Sequence, residues 1–338
     1  MIDLLVAGGG PAGLATAIRA ACEGLEVVVV EPRPGPVDKA CGEGLMPAAV
    51  AALAELGVAV EGRPLRGIRY VDTRHEAEAH FRAGPGRGVR RTELHAALSR
   101  RAARLGVPVL PLRVDVVRQQ QDRVTAAGIT ARYLAAADGL HSPIRRALGL
   151  AGPAGPAPAR YGLRRHFAVA PWTDCVEVHW SARAEAYVTP VGPDLVGVAL
   201  LTSDRAPFER QLAAFPDLAA RLPAIAATAT RGAGPLRQPV RARALGRVLL
   251  VGDAAGYVDA LTGEGVSLAV RGAAELVRCV RAGRPGEYER AWRAMSRRHR
   301  ALTSALLGAR GRPLLAARIV PAAARFPGLF AAVVNQLA

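Results

Sequence analysis

The stretch IDLLVAGGGPAGLATAIRAACEG, residues 2–24, decides the fold. Its first six residues are apolar enough for a buried strand, and a helical pattern ends the stretch. The turn between the two carries the glycines of a G-x-G-x-x-G pattern, Gly8, Gly10 and Gly13. A second apolar strand over residues 27–30 ends at Glu31. Strand, glycine turn, helix and strand in this order predict a Rossmann-like α/β unit.

Each position of this turn has a physical reason to bind a dinucleotide. Gly8 permits the tight turn, Gly10 lets the backbone reach a pyrophosphate, and Gly13 lets the helix pack closely on the strand. Pro11 and Ala12 begin the helix, whose free N–H groups attract phosphate. Glu31, at the end of the second strand, follows the glycine turn at about the spacing at which an acidic residue binds the adenosine ribose. We therefore expect Glu31 to bind the ribose.

A second motif follows a buried strand over residues 132–137. The strand leads into Asp138-Gly139, and Ser142 with Pro143 gives favourable chemistry for the start of a short helix.

A third motif follows an apolar strand over residues 247–251 and contains Asp253. An aspartate at the carboxyl end of a strand lies where ligands bind in open α/β sheets, and its carboxylate could accept hydrogen bonds from ribityl hydroxyls. Gly263 and Gly265 precede a helix that runs towards Val280. The positive end of that helix would face the pyrimidine edge of a flavin, where negative charge develops on reduction.

The three motifs together resemble the fingerprints of flavoprotein aromatic hydroxylases and their relatives. Residues 39–45, KACGEGL, and residues 256–265, GYVDALTGEG, resemble the geranylgeranyl-reductase branch more closely. That branch usually has a proline at the position of Ala260, and its aromatic-rich Y-x-W-x-F-P stretch is only partly matched by residues 187–190. The W-x-W-x-I-P stretch of tryptophan halogenases is not found. The resemblance implies FAD as cofactor, with Cys41 near the flavin ring.

The resemblance also implies that Arg91 approaches the FAD phosphates from a helix, although an arginine on a helix surface is an equal alternative. Cys41 could be a reactive or flavin-linked thiol, or a small buried hydrophobic residue. Glu43 could exchange protons at the flavin face, or cap the helix that starts near Pro47.

The expected fold class is α/β, with a Rossmann-like FAD-binding domain and an inserted α+β substrate domain built on an antiparallel sheet. We expect the FAD-binding domain to comprise residues 1–42, 86–156 and 236–285. The substrate domain would comprise residues 43–85 and 157–235, and residues 286–338 would form C-terminal helices. The Pro-, Gly- and Ala-rich stretch Gly152 to Pro158 would lead from one domain into the other.

The antiparallel sheet is predicted from four apolar runs joined by short turns, over residues 161–169, 176–180, 184–189 and 195–201. Alternation puts Glu177 and His179 on the polar face of the second run, so His179 is expected to be solvated. Tyr187 and Thr189 would line the substrate pocket or simply pack in the sheet, and Tyr187 is a second candidate proton donor.

Composition excludes several classes of protein. The net charge is +17, but Lys39 is the single lysine and aromatic residues make up 4% of the chain, so we do not expect nucleic-acid binding. The four cysteines have no paired spacing, which argues against a metal site or a disulfide framework. No leader segment and no long apolar run are present, which predicts a cytoplasmic protein.

The segment after Gly311 is apolar and broken by three prolines, which predicts short amphipathic helices. Such helices would close a core, form a subunit contact, cover a hydrophobic substrate or dock on a membrane surface. The oligomeric state expected is a monomer or a homodimer.

As function, the sequence favours an FAD-dependent monooxygenase that uses NAD(P)H and O2 on a phenolic or polyketide-like small molecule of secondary metabolism. The alternative is a flavin-dependent ene reductase that delivers a hydride to an isoprenoid or another alkene. A flavin-binding module without turnover is a third class.

Overall fold

The structure is a computed structural model that describes residues 1–153, 155 and 158–337. Part of the Gly152 to Pro158 connection, residues 154, 156 and 157, therefore lies outside the described residues. The described α-helices are α1 Pro11–Cys22, α2 Pro47–Glu55, α3 Arg91–Arg104, α4 Pro143–Ala147, α5 Phe208–Leu212, α6 Pro216–Arg221, α7 Gly265–Arg281, α8 Tyr288–Arg310, α9 Pro313–Ala316, α10 Ile319–Arg325 and α11 Pro327–Leu337.

The strands form three sheets. In chain order they are β1 Ile2–Ala7, β2 Val27–Val30, β3 Gly44–Leu45, β4 Arg63–Leu65, β5 Gly67–Val71, β6 Glu76–His80, β7 Gly86–Gly88, β8 Val109–Leu110, β9 Val117–Gln119, β10 Val124–Ala126, β11 Ile129–Ala136, β12 Tyr161–Phe167, β13 Cys175–Trp180, β14 Ala184–Gly192, β15 Leu195–Thr202, β16 Arg231–Ala233, β17 Ala244–Leu245 and β18 Val248–Leu250.

The first sheet has the strand order β17-β18-β11-β1-β2-β8, and strands from β18 to β8 are parallel. The antiparallel pair β9 and β10 continues from β11. Leu4, Leu5 and Val6 of the central strand β1 are fully buried, as a parallel sheet covered by helices requires. Helix α1 packs against α3 and α7 over this core. The Rossmann-like unit expected from the sequence is therefore present.

The second sheet has seven strands in the order β16-β12-β15-β14-β13-β5-β6. The four strands predicted from the sequence, β12 to β15, are antiparallel neighbours as expected. Strand β5, however, runs parallel to β13, so the sheet is mixed. Phe167, Val198 and Phe208 belong to an apolar core of this sheet, and α10 and α11 pack on β6 at its edge.

Two neighbours of β13 change the interpretation of its polar face. The Glu177 side chain is buried, because it pairs with Arg69 of β5 and accepts a hydrogen bond from the Trp172 indole at 3.0 Å. His179 lies 3.2 Å from the same carboxylate and is largely buried. The expectation that His179 is solvated is wrong, because the alternation does not reveal that β5 and Trp172 supply partners on that face.

Helix α2 and the third sheet lie at the expected domain boundary. The boundary at residue 43 assigns α2 to the substrate domain, whereas α2 packs against α7 and its Leu53 belongs to the core of the first sheet. The third sheet has the order β3-β7-β4 and pairs residues expected in both domains.

The C-terminal segment forms the short helices expected from its prolines. Among the residues that the structure describes, no single helix is long and apolar enough to span a membrane. The pair Pro313–Arg325 and Pro327–Gln336 meets the length and composition for a span only when taken together, and it is bent by 105°.

Candidate functional site

The glycine turn after β1 forms an open cradle at the N-terminus of α1. Gly8 has φ +110°, and a Cβ on Gly13 would lie 1.8 Å from the Gly8 carbonyl oxygen, so both positions require glycine. At Gly10 an added Cβ would meet no atom within 4 Å, because this side of the turn faces open space. No side chain caps α1, which begins at Pro11 and Ala12. The free N–H groups of this helix start are suited to a phosphate.

The Glu31 carboxylate lies beside this turn and is already engaged. It accepts hydrogen bonds from the backbone N–H of Gly9 at 2.9 Å and from the Arg33 guanidinium at 2.7 Å and 2.8 Å. Burial alone would raise the pKa of Glu31, but the hydrogen bonds from Arg33 and Gly9 outweigh it and hold that pKa below its usual range. Arg33 is partly exposed, so it can move aside or share the carboxylate with a ribose.

A cavity of about 270 Å³ opens at the carboxyl ends of the parallel strands. Gly8, Glu31, Lys39 and Asp138 are among its lining residues. Ligands bind at this edge of open α/β sheets, and here the cavity lies directly beside the glycine cradle.

The second and third motifs are joined by Arg145. Ser142 caps α4, since its Oγ accepts a hydrogen bond from the Arg145 backbone N–H at 2.9 Å. The Arg145 guanidinium is buried. It donates hydrogen bonds to the backbone carbonyl oxygens of Leu140, Asp253 and Ala254. A further hydrogen bond goes to the side-chain oxygen of Gln238. Arg145 therefore fixes the position of the third motif relative to the second.

Asp138 retains one unused acceptor. Its Oδ2 accepts from the backbone N–H of Ile144 at 3.0 Å, whereas its Oδ1 is buried without a hydrogen-bond partner among the described residues. Burial raises the pKa of Asp138. A buried acceptor without a donor costs free energy, which favours a donor from a bound group at this position.

Arg91 is the second polar group without a partner. The structure buries it, so a helix-surface role is excluded, and its Nη1 has no hydrogen-bond partner among the described residues. No carboxylate of the described chain lies within ion-pair distance of its guanidinium. Burial is the main cause that lowers the pKa of Arg91, and charges at Cys41 and Asp253 oppose it. A buried guanidinium without an anion is suited to a phosphate.

Asp253 lies near three cations, those of Lys39, Arg91 and Arg145, which partly offset the rise in its pKa that burial causes.

The Cys41 thiol has its pKa raised by burial and accepts a hydrogen bond from the backbone N–H of Glu43 at 3.4 Å. This thiol is therefore mostly protonated near neutral pH.

Glu43 lies in a buried network that the sequence did not reveal. One oxygen accepts from the backbone N–H of Arg91 at 2.8 Å, so Glu43 caps α3 and not the helix near Pro47. The other oxygen lies 2.7 Å from Nε2 of His166, and Arg164 pairs with Asp38 beside them. Both carboxylate oxygens are thus engaged by the protein, and Glu43 has an unusual φ of +60° for a residue other than glycine.

The loop before α7 meets the second sheet at Tyr187. The Tyr187 hydroxyl donates to the Leu261 carbonyl oxygen at 3.0 Å, and Thr189 donates to the Gly42 carbonyl oxygen at 2.8 Å. Burial raises the pKa of Tyr187 well above its usual value, so the phenol stays protonated. Gly263 has φ +70°, and α7 begins at Gly265 without a side-chain cap.

A larger cavity of about 950 Å³ lies behind this loop. It is lined by Asp253, Tyr257 and Gly265 and by residues of α8, among them Trp292 and His299.

These groups fit FAD. The cradle offers free N–H groups, Arg91 offers an unpaired cation, and Asp138 and Asp253 offer acceptors just beyond the carboxyl ends of two strands of the first sheet. A single-dinucleotide flavoprotein needs such an arrangement. The chain therefore belongs to the class of FAD-dependent oxidoreductases. More specifically, residues 1–193 match the FAD binding domain family, of which this chain is a member.

Several relatives were found by sequence, and the following three are named as reductases. Menaquinone reductase of Mycobacterium tuberculosis is 37% identical over 166 residues, which cover 44% of this chain and 40% of the length of that relative. Menaquinone reductase of Mycolicibacterium smegmatis is 29% identical over 336 residues, covering 88% of this chain and 80% of the relative. Digeranylgeranylglycerophospholipid reductase 1 of Methanothermobacter thermautotrophicus is 27% identical over 326 residues, which cover 86% of this chain and 81% of the relative.

Solved structures share the fold at low sequence identity. A flavoprotein/dehydrogenase from Cytophaga hutchinsonii has a TM-score of 0.81 at 19% identity, covering 99% of this chain and 97% of its own. A geranylgeranyl bacteriochlorophyll reductase-like protein from Thermoplasma acidophilum has a TM-score of 0.79 at 20% identity. The match covers 95% of this chain and 90% of that structure. A flavin-dependent brominase has a TM-score of 0.82 at 17% identity, and the match covers 99% of this chain and 93% of the brominase.

Proposed function

We propose that this protein is an FAD-dependent ene reductase that saturates a carbon–carbon double bond of an isoprenoid chain. The observation that carries the proposal is Tyr187, a phenol that stays protonated beside the loop leading into α7. One side of it is apolar, with the buried Trp180 and Leu261 and with Tyr70 in the same cluster, whereas the charged groups of Glu185, Asp259 and Arg160 lie near its other side. An alkene needs a hydride and a proton but offers no polar group to bind, which the apolar side suits.

We assign the residues of the cofactor site as follows. The pyrophosphate would bind at the glycine cradle and Arg91, the adenosine ribose at Glu31, and the ribityl chain at Asp253. The start of α7 at Gly263 and Gly265 would stabilise negative charge on the pyrimidine edge. FAD, when reduced, supplies the hydride, and NAD(P)H is the proposed source of the two electrons.

The protein's own part is to bind the chain in a dry pocket and to deliver a proton. The Tyr187 hydroxyl would donate its proton to the alkene carbon that does not receive the hydride, and the phenolate would regain a proton from solvent. Without substrate this proton is donated to the Leu261 carbonyl oxygen, so the hydroxyl would turn from Leu261 to the alkene when the substrate binds. Glu43 has both oxygens engaged, so we assign it to positioning the 41–44 loop against α3 rather than to proton transfer.

The relatives support the reductase over the monooxygenase that the sequence favoured. Two of the three are named as reductases of menaquinone and the third as a reductase of a digeranylgeranyl lipid. Oxygen transfer to a phenolic substrate remains the competing reaction, because it begins from the same reduced cofactor.

Product analysis distinguishes the two reactions. The FAD-loaded protein is incubated with NADPH and a polyprenyl quinone, once under nitrogen and once in air. The mass of the product is then measured by mass spectrometry. The quinol is re-oxidised to the quinone before the measurement, so that a remaining gain of two hydrogens under nitrogen reports a saturated chain and supports the reductase. A product that forms only in air and gains oxygen supports the monooxygenase and overturns the proposal.

A matched pair of variants tests the proton donor. Tyr187→Phe should slow saturation of the alkene by roughly a hundred-fold while FAD stays bound, which is the usual range for loss of a general acid. Tyr70→Phe changes a tyrosine in the same apolar cluster and should retain the wild-type rate. Equal rates for both variants would remove Tyr187 from the mechanism.

A further inference from the structure

Helix α11 and the residue before it, Phe326, carry apolar residues on two neighbouring faces, one buried and one exposed. Phe330 and Val334 are buried with Ala77 and Ala79 of β6 in one apolar cluster. A second set at the spacing i, i+3 and i+7 is exposed: Phe326 is 58% exposed, Leu329 66% and Val333 39%. This spacing puts the exposed set along one stripe of a helix.

The inner face of α11 is anchored by polar contacts as well. The Asn335 side chain accepts a hydrogen bond from the Arg82 backbone N–H at 2.7 Å and donates to the His80 carbonyl oxygen at 2.9 Å. The helix is therefore held to the edge of the second sheet by one face, and the apolar stripe is left facing outward. An outward apolar stripe costs free energy in water unless something covers it.

The charge around the stripe indicates what covers it. Residues 311–337, which contain α9 to α11, have three charged side chains, and all three are arginines. Arg312, Arg318 and Arg325 are exposed and have no ion-pair partner among the residues that the structure describes. Leu314, between the first two, is 84% exposed.

We propose that α9 to α11 dock this protein on an anionic lipid bilayer. The apolar stripe of α11 and Leu314 would enter the boundary between headgroups and acyl chains, and the three arginines would contact anionic headgroups. A second copy of the chain fits this surface poorly, because a symmetric contact would bring arginines together without a carboxylate to oppose them. The docking does not depend on the proposed reaction, since it needs no substrate.

Vesicle co-sedimentation of the FAD-loaded protein tests the charge requirement. The protein should pellet with vesicles of phosphatidylcholine and phosphatidylglycerol in equal parts, but not with phosphatidylcholine alone, and added salt should release it. Replacing the three arginines by glutamine should weaken binding roughly a hundred-fold, at about five-fold per arginine. The control replaces three exposed arginines elsewhere by glutamine and makes the same change in net charge: Arg63, Arg104 and Arg118.

The apolar stripe is tested separately. Leu329→Ser with Val333→Ser should weaken vesicle binding roughly ten-fold or more, because their side chains would no longer be buried in lipid. Ile225→Ser removes a side chain that is 85% exposed outside this segment and should leave binding unchanged.

Two results would overturn the proposal. One is binding that is equal on neutral and anionic vesicles, or lost equally in the control variants. The other is a dimer in sedimentation equilibrium that the Leu329→Ser, Val333→Ser variant breaks, without any vesicle binding by the wild type. Either result would leave the reductase test untouched, because that test is read from the product.

Discussion

Replacing Arg91 by methionine should separate cofactor affinity from protein stability. The Arg91 guanidinium is buried and makes no hydrogen bond or ion pair with the described residues. Removing the guanidinium therefore breaks no hydrogen bond or ion pair of the apoprotein. It also removes the free-energy cost of a buried charge. We expect the free energy of unfolding of the apoprotein to change by no more than about 1 kcal/mol in either direction.

The FAD complex should respond differently. A hydrogen bond to a charged group contributes about 1.5 to 3 kcal/mol, so the dissociation constant for FAD should rise by roughly 10- to 150-fold. Titration of apoprotein into FAD, followed by flavin fluorescence, measures this constant. Thermal unfolding of the same apoprotein measures stability.

Arg145→Met is the matched control for this prediction. Its guanidinium is also buried, but it donates to four acceptors of the protein. Leaving these acceptors unpaired should cost about 3 kcal/mol or more and lower the unfolding temperature of the apoprotein by roughly 5 to 10 °C. If Arg91→Met destabilises the apoprotein to the same extent and leaves FAD affinity unchanged, the assignment of Arg91 to the phosphates is refuted.

Two more predictions concern the glycine cradle and the acidic residue beside it. Gly13→Ala should destabilise the apoprotein by about 3 kcal/mol or more, because the new Cβ would lie 1.8 Å from the Gly8 carbonyl oxygen. Gly10→Ala meets no atom, so it should weaken FAD binding with little change in unfolding temperature, and equal shifts in both variants would contradict this. The pKa of Glu31 is lowered in the folded protein, so the stability from its pairing with Arg33 is present above its ordinary pKa of 4.5 and is lost as the pH falls through the lower folded value. Arg33→Met should therefore flatten the loss of stability on acidification in thermal unfolding scans, and an unchanged acid limb would contradict the pairing.

Local signals in the sequence were sufficient for the first unit of the fold. The glycine turn, the strand ends and the Ser142 cap each depend on residues within a few positions, and the structure has all three. Helix starts and tight turns are determined by such short-range sterics and hydrogen bonds, which is why they can be predicted from sequence.

Long-range pairs were beyond that kind of prediction. His166 meets Glu43 across 123 positions of the chain, and no spacing or motif marks either residue for the other. The burial of Glu177 depends on Arg69 of β5, whose parallel pairing with β13 has no local signal. Alternation gives the direction of a side chain in a strand but not what covers that side.

The single lysine of this chain lines the smaller cavity. An acylating reagent directed at lysine side chains would therefore have one target in this sequence, the Lys39 ε-amino group. Intact-mass measurement could then count occupied molecules in a mixed sample, because a nucleotide in the cavity would shield this amino group from the reagent.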